Sequence, residues 1–442
     1  MTPMNSHDLA FGQDNEQQGL QADLAIDAPQ SILGGTMIVT GTAVGAGMLS
    51  LPTISSGMWF GWSIATMLLT WFCMLHVSLF ILEINLKYKA GASFDTFVKD
   101  ILGPRWNLLN GILITFIFYI LLYAYISGGG SIVSHTLQSV TLQGGAGVSL
   151  SPTMAGVIFS LCLAIVVWLS TKTVDRLVTV LLVGMAISFL LSVGDLALSA
   201  SFSHLYSQAS GSSPQYIFVF AALPFYLTSF GFQTTVPSLV KYYGKNPGKV
   251  RACLISGSLL IFVIYFVWLT AAFGNLSRPE FYGIASEGGN AGLLVSAIAR
   301  VGDSELLSKL LNLFANLAIV TSFLGVSLGL FDYIADKFKM SDSYLGRLKT
   351  SLITFLPPTI AALIYPDGFI YAIGFAGLAL ALSACIIPPL MIIKSRKSEV
   401  VSVYRVWGGN RMAYFILVLG IIYASCHIFS LFELLPVYGV HE

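Results

Sequence analysis

From residue 31 onward the chain is a series of long apolar runs, separated by short clusters of Lys, Arg, Gly and Pro. A helix crossing the hydrocarbon of a bilayer needs about 20 mostly apolar residues. That template predicts eleven spans, at roughly 31–57, 58–84, 106–134, 153–171, 177–199, 214–240, 251–273, 306–331, 350–366, 368–392 and 411–435. A single short turn separates neighbours at Gly57 and at Pro366-Asp367-Gly368. The runs are too long and too uniform for the alternating ten-residue strands of a membrane barrel. Helices satisfy each backbone amide within their own segment, as lipid demands. The expected fold is therefore an all-α polytopic membrane protein.

Composition agrees. Of the 442 residues, 56% are hydrophobic and 10% charged, against about 25% charged in soluble domains. The first thirty residues differ: they hold five acids, no Lys or Arg, and many Gln and Asn. They lack the basic start and apolar core of a signal peptide, and read as a disordered, solvated cytoplasmic tail. The five cysteines (Cys73, Cys162, Cys253, Cys385 and Cys426) fall in or beside spans. Structural disulfides belong to extracellular loops, so these read as small packing residues.

Charge placement sets the orientation, because cytoplasmic loops are enriched in Lys and Arg. With the N-terminus inside, 19 of the 22 basic residues fall in inner loops, and only Arg278, Arg300 and Lys309 fall outside. Eleven crossings then put the C-terminus on the outer side.

A shift of about 190 residues lays spans one to five over spans six to ten. Five is odd, so the second set enters from the opposite face, as in the inverted repeats of secondary transporters. The expected division is a first five-helix repeat at 31–200, a second at 214–393, and an eleventh helix at 411–435. Matched breaks in the first helix of each half mark the binding site of such folds. Span one carries Gly41-Thr42-Ala43-Val44-Gly45-Ala46-Gly47 at its middle, followed by Pro52. Span six carries Thr228-Ser229-Phe230-Gly231-Phe232-Gln233, flanked by Pro224 and Pro237. Small residues that merely let helices approach are the alternative for Gly41, Gly45 and Gly128 to Gly130. Their matching in both halves favours the functional reading. Freed amides at Gly45, Ala46 and Gly47 sit at the positive end of a helix dipole and suit a carboxylate. Freed carbonyls suit an ammonium group. A zwitterionic amino acid carries both.

At these residues the chain resembles the bacterial aromatic amino acid permeases. The resemblance is carried by Gly45-Ala46-Gly47-Met48, Ser50-Leu51-Pro52, Trp71 to His76, Leu82 to Leu86, Tyr123 to Ser127, Leu328 to Tyr333, Thr354 to Pro358 and Trp407 to Asn410. It is most similar to the tryptophan-specific members, through Trp168 to Lys172, Lys241 to Lys245 and Leu435 to Tyr438, and it runs from about Ser31 to Tyr438. The resemblance implies a bacterial inner-membrane amino acid–proton symporter with eleven helices and a five-plus-five inverted repeat. One segment departs. Where that family reads His-Gly-Asn in span six, this chain has Gln233-Thr234-Thr235, so substrate choice is open at this position.

Further candidates follow from position. Tyr119 and Tyr123, four apart, share a helical face near the middle of span three and are expected to wall the site. Phe225, Phe230, Gly231, Phe232 and Gln233 surround the second break, where an indole would find stacking partners. Ionisable residues within spans are functional candidates. Apart from tyrosines and cysteines, His76 is the deepest of these; it is the candidate proton carrier, with Glu83, two turns on, as the alternative, and a neutral His bonded to neighbouring backbone is the competing reading. Thr321 and Ser322 in span eight are the place where sodium-using members of the wider superfamily supply hydroxyls; the alternative for both is a bond to the preceding turn. No cofactor, metal or nucleic acid is expected. The six histidines are scattered, without the clustered ligands of a metalloenzyme. A carbonyl filter signature and a phosphate-binding loop are missing too. A non-transporting amino acid sensor on the same fold stays open as a second class.

Overall fold

A computed structural model of the chain describes residues 31–144, 150–206, 214–301, 304–397 and 403–439. The expected N-terminal tail lies outside these. Among the described residues there are helices and no strands.

The first span is a bent pair. Helix α1 (Ile32–Ala43) is followed by α2 (Ala46–Leu49) and α3 (Leu51–Ser55), which turn away by 50°. Then come α4 (Trp59–Asn85), the short α5 (Phe94–Leu102), α6 (Pro104–Gly144), α7 (Pro152–Leu169), α8 (Thr171–Leu198) and the one-turn α9 (Phe202–Leu205). A 3-10 turn, Gln215–Phe218, opens the second interrupted span, which consists of α10 (Val219–Ser229), a 3-10 turn Gln233–Thr235 and α11 (Val236–Tyr242). The rest are α12 (Pro247–Asn275), α13 (Arg278–Ser286), α14 (Ala291–Val301), α15 (Glu305–Phe338), α16 (Tyr344–Ile364), α17 (Phe369–Leu380), which passes through a π segment at Ala381–Ile386 into α18 (Ile387–Ser395), and α19 (Gly409–Leu431).

Local signals explain where many helices begin. Ser93, Ser151, Ser170, Asn246 and Ser343 each accept a backbone N–H of the first turn, the role their short side chains favour. Pro152 and Pro247 occupy first-turn positions, where the missing N–H costs nothing.

Among the described residues, nine helical segments, the interrupted Gln215–Tyr242 among them, plus the bent pair are long and apolar enough to cross a membrane. This makes the protein a multi-pass membrane protein. The predicted span 350–366 overlaps α16, which is helical but carries Arg347 and Lys349 in its first two turns and contains Pro357 and Pro358. Arg347 reaches back to the carbonyls of Val167 and Trp168, each at 2.8 Å, and so closes the C-terminus of α7. Helices α13 and α14 lie between the predicted spans 251–273 and 306–331, where the sequence reading placed no element. A Ser277–Glu280 capping box starts the first of them.

The core brings distant segments together. Helix α15 packs on α8 and α6; α6 packs on α7, α16 and α17; α12 packs on α1, α4 and α8; α10 lies against α17, α19 and α4. The glycines of span three serve this packing. A Cβ on Gly130 would sit 2.3 Å from the Pro152 carbonyl oxygen and 2.7 Å from the Gly156 nitrogen. Only glycine lets α6 and α7 approach this closely.

Candidate functional site

Both predicted breaks exist, and they touch. In the first, α1 stops at Ala43, Gly45 is fully extended (φ 176°, ψ −147°), and helix resumes at Ala46. In the second, α10 stops at Ser229, and Phe230, Gly231 and Phe232 lead into the 3-10 turn that begins at Gln233. Ser229 Oγ lies 3.1 Å from the Gly47 carbonyl oxygen and 3.0 Å from that of Phe225 in its own helix, so its one hydrogen can join the two breaks or close the preceding turn. Among the described residues the Gly45 and Gly47 amides donate to no protein acceptor, nor does that of Gly231. These are the orphan donors that a helix start leaves.

The third amide of the first break is taken. Ser322 Oγ on α15 accepts the Ala46 N–H at 2.9 Å. Its neighbour Thr321 donates instead to Leu317 and Ala318, the preceding turn of its own helix. Thus Ser322 joins the site and Thr321 does not.

Freed carbonyls are held by α12, an element the sequence reading did not single out. The Tyr265 hydroxyl lies 2.8 Å from the Ala43 oxygen and 2.6 Å from the Ser229 oxygen, one from each break. Three residues on, Trp268 Nε1 donates to Met48 O at 2.9 Å. Both side chains are fully buried. A signal did exist: a buried Tyr or Trp nearly always finds a partner for its polar atom, and both sit mid-span. Which carbonyl each meets depends on packing.

The aromatic candidates divide. Phe230 and Phe232 are fully buried at the second break, with Phe230 edge-on to Tyr265 at 5.1 Å. Phe225, a turn earlier, lines a separate cavity. Gln233 is buried, and its Oε1 has no hydrogen-bond partner. Tyr119 and Tyr123 spend their hydroxyls elsewhere, on the carbonyls of Ile353 (2.9 Å) and Tyr365 (2.8 Å). Ser127 donates to Pro366. All three tie α6 to α16 and the loop after it, so any wall they offer is made by the rings.

The coupling candidates on α4 make their hydrogen bonds to groups other than those of the breaks. His76 Nδ1 is 2.8 Å from the Phe72 carbonyl of the preceding turn. With Nδ1 as donor, Nε2 is left as the basic atom. Glu83 forms a buried bidentate pair with Arg396 (2.7 and 2.6 Å) and accepts the Val406 amide at 2.7 Å. Nearby, Lys87 donates to Ser395 O; burial pushes its amine below the usual lysine range, against the pull of Glu83. This cluster ties the end of α4 to α18 and to the chain entering α19.

Comparison with known proteins agrees with this architecture. The profile of the tryptophan/tyrosine permease family matches residues 28–427. The chain is 49% identical over 408 residues to the tryptophan-specific transport protein of Pseudomonas aeruginosa (strain UCBPP-PA14), covering 92% of this chain and 97% of that one. It is 40% identical to the low affinity tryptophan permease of Escherichia coli (strain K12), over 92% of this chain and 98% of the relative. The tyrosine permease of Enterobacter agglomerans is 37% identical, over 92% and 97%. Among solved structures, that of MhsT in complex with L-phenylalanine superposes with a TM-score of 0.52 at 16% identity, covering 92% of this chain and 99% of that one. That likeness concerns the fold. With two unwound spans in contact and relatives aligned end to end, the chain belongs to the tryptophan/tyrosine permease family.

Proposed function

We propose that this protein imports an aromatic amino acid, tryptophan foremost, across the bacterial inner membrane by proton symport. The observation that carries the reading is the contact of the two broken spans, where unpaired Gly45 and Gly47 amides stand beside carbonyls from both breaks. Amides at a helix start suit a carboxylate, and carbonyls suit an ammonium group. Relatives named for tryptophan transport support the choice of substrate. So does Gln233: its unpartnered Oε1 is an acceptor beside Phe230 and Phe232, and an indole ring supplies an N–H donor and a stacking face.

The five-plus-five inverted repeat is part of the proposal, with 31–200 matching 214–393 and 411–435 outside it. The packing supports it, since the pairing of α15 with α8 has its counterpart in that of α6 with α17. The N-terminus is cytoplasmic and the C-terminus periplasmic in this reading, by the distribution of Lys and Arg.

For coupling we favour the proton. Thr321 is engaged with its own helix and Ser322 with the Ala46 amide. His76 keeps a basic Nε2, whereas the oxygens of Glu83 are held by Arg396 and Val406. The experiment is uptake of labelled tryptophan into proteoliposomes, under a pH gradient in sodium-free buffer or under a sodium gradient at uniform pH. Competition by tyrosine, phenylalanine and indole ranks substrates. Accumulation driven by sodium alone overturns proton symport. Saturable binding without flux makes the protein a sensor.

A further inference from the structure

Besides His76, a second buried histidine, His427, sits inside a membrane span, and the two lie in opposite halves of the bundle. Glu83 accepts the Val406 amide, so the end of α4 and the start of α19 share one face. His76 is seven residues, about 10 Å of helix, from Glu83. His427 is about 27 Å of helix from the start of α19, and four residues from its other end.

The His427 ring sits where α19, α17 and the second broken span meet. A Cβ on Gly374 would lie 2.7 Å from His427 Cε1 and 3.0 Å from Phe225 Cζ, so glycine is what admits both rings to this spot. Phe375 is edge-on to the imidazole at 5.0 Å. His427 Nε2 is buried and has no hydrogen-bond partner, although buried polar atoms are nearly always paired. The residue also lines a cavity of about 240 Å³, together with Thr53 of the first broken span, Phe225 of the second, and the exposed Leu431 and Glu433 at the end of α19. Such a space has room for several water molecules.

The elements packed around His427 carry titratable residues of their own. They are Tyr226 on α10, Tyr371 on α17, Cys385 in the π segment beside Cys73 of α4, and Tyr423 and Cys426 on α19. Tyrosines and cysteines keep their protons at pH 7. Glu433 and Tyr438 line the cavity. The basic end of α18 is on the opposite face, where Arg396 holds Glu83. Histidine is the side chain suited to gain and lose a proton near neutral pH. Between the two histidines, the Tyr423 and Thr70 hydroxyls are 2.7 Å apart and join α19 to α4. Tyr423 is one turn from His427, and Thr70 is six residues from His76.

We propose that His427 takes up the coupling proton at the face opposite Glu83, which the distribution of Lys and Arg makes the outer one, and that His76 serves the inner half. Water in the cavity gives a proton to Nε2, and the neutral imidazole becomes imidazolium; the same N–H bond breaks when the proton is passed on. An imidazolium needs an acceptor or water, which the apolar wall of Phe225, Gly374 and Phe375 does not supply. The charged state therefore favours a hydrated cavity with α10 drawn back from α17. Because α10 ends at the second break, protonation and substrate act on one span. This inference rests on the proton-symport reading.

The test compares wild type with His427→Gln, as the full chain in proteoliposomes, in two assays. One is accumulation of labelled tryptophan under a pH gradient, acid outside, in sodium-free buffer. The other is exchange of labelled for unlabelled tryptophan at uniform pH. His427→Gln should lose accumulation at least ten-fold and keep exchange, since it removes the proton carrier and leaves the substrate site. His427→Phe keeps the ring packing, should give the same split, and replaces the glutamine variant if that does not fold. Accumulation at the wild-type level in a folded variant overturns the role of His427 and leaves proton symport standing. Loss of exchange together with accumulation in folded variants makes the residue structural and overturns the role as well. A wild type that does not accumulate under the pH gradient overturns the symport reading itself, and this inference with it.

Discussion

The Ser322 hydroxyl accepts the Ala46 N–H at 2.9 Å across 276 residues of sequence. This bond holds the resumed half of the first span against α15. It requires glycine next door, because a Cβ on Gly45 would lie 2.1 Å from Ser322 Oγ.

We predict that Gly45→Ala displaces this hydroxyl and reduces tryptophan uptake at least ten-fold, with insertion into the membrane retained. The added Cβ would be 3.5 Å from Ser322 Cβ, an ordinary contact. Adding Ser322→Ala to Gly45→Ala should therefore restore part of the lost uptake. Equal loss in single and double variants would place the defect elsewhere.

Gly47 gives a graded series. A Cβ there meets Ser229 Cα and Oγ at 3.6 Å, which is ordinary packing. Gly47→Ala should keep folding and much of the uptake. Gly47→Leu should abolish uptake while the protein remains folded by size-exclusion in detergent. Full uptake in the leucine variant would remove Gly47 from the site.

Tyr265→Phe deletes one hydroxyl and leaves the ring packed on Phe230. The single O–H can serve one of the two carbonyls at a time, so its loss leaves a buried carbonyl without its donor, at a cost of about 1–3 kcal/mol for a buried group left unsatisfied. The expected result is a lower unfolding midpoint and slower uptake, because both breaks lose the same anchor. An unchanged midpoint and rate would show that water replaces the hydroxyl without loss.

Glu83 and Arg396 are expected to act as a clamp. Removing one partner of a buried ion pair costs roughly 3–5 kcal/mol, whereas exchanging both for apolar residues is often neutral. Arg396→Met should thus be far less stable than Glu83→Leu with Arg396→Met, and the double variant should keep uptake driven by a pH gradient. Loss of proton-driven uptake in a stable double variant would return Glu83 to the role of carrier. The companion variant His76→Ala should lose it.

A reporter active only in the cytoplasm, fused after residue 442, should be silent, since the eleven crossings proposed from an inner N-terminus would end outside. Strong activity would mean that α16, the least apolar of the long helices, does not cross.

Much of this was legible in the residues. Spans are a local property, because in lipid each segment must satisfy its own backbone bonds, so a run of apolar side chains is enough to mark one. Helix starts at Ser151 and Asn246, and the two interruptions at Gly45 and Gly231, are local for the same reason. What a side chain does with a hydroxyl is not local. Tyr119 and Tyr123 share a face as their spacing requires, yet their oxygens lie against carbonyls of α16 and the residue that follows it, more than 230 residues away in sequence. Thr321 and Ser322 are adjacent, and only one reaches the first break. Tyr265 became the link between the breaks because helix packing brought two free carbonyls within 3 Å of one oxygen. A hydrogen bond depends on tenths of an ångström and on direction, and those are settled only when helices distant along the chain have packed.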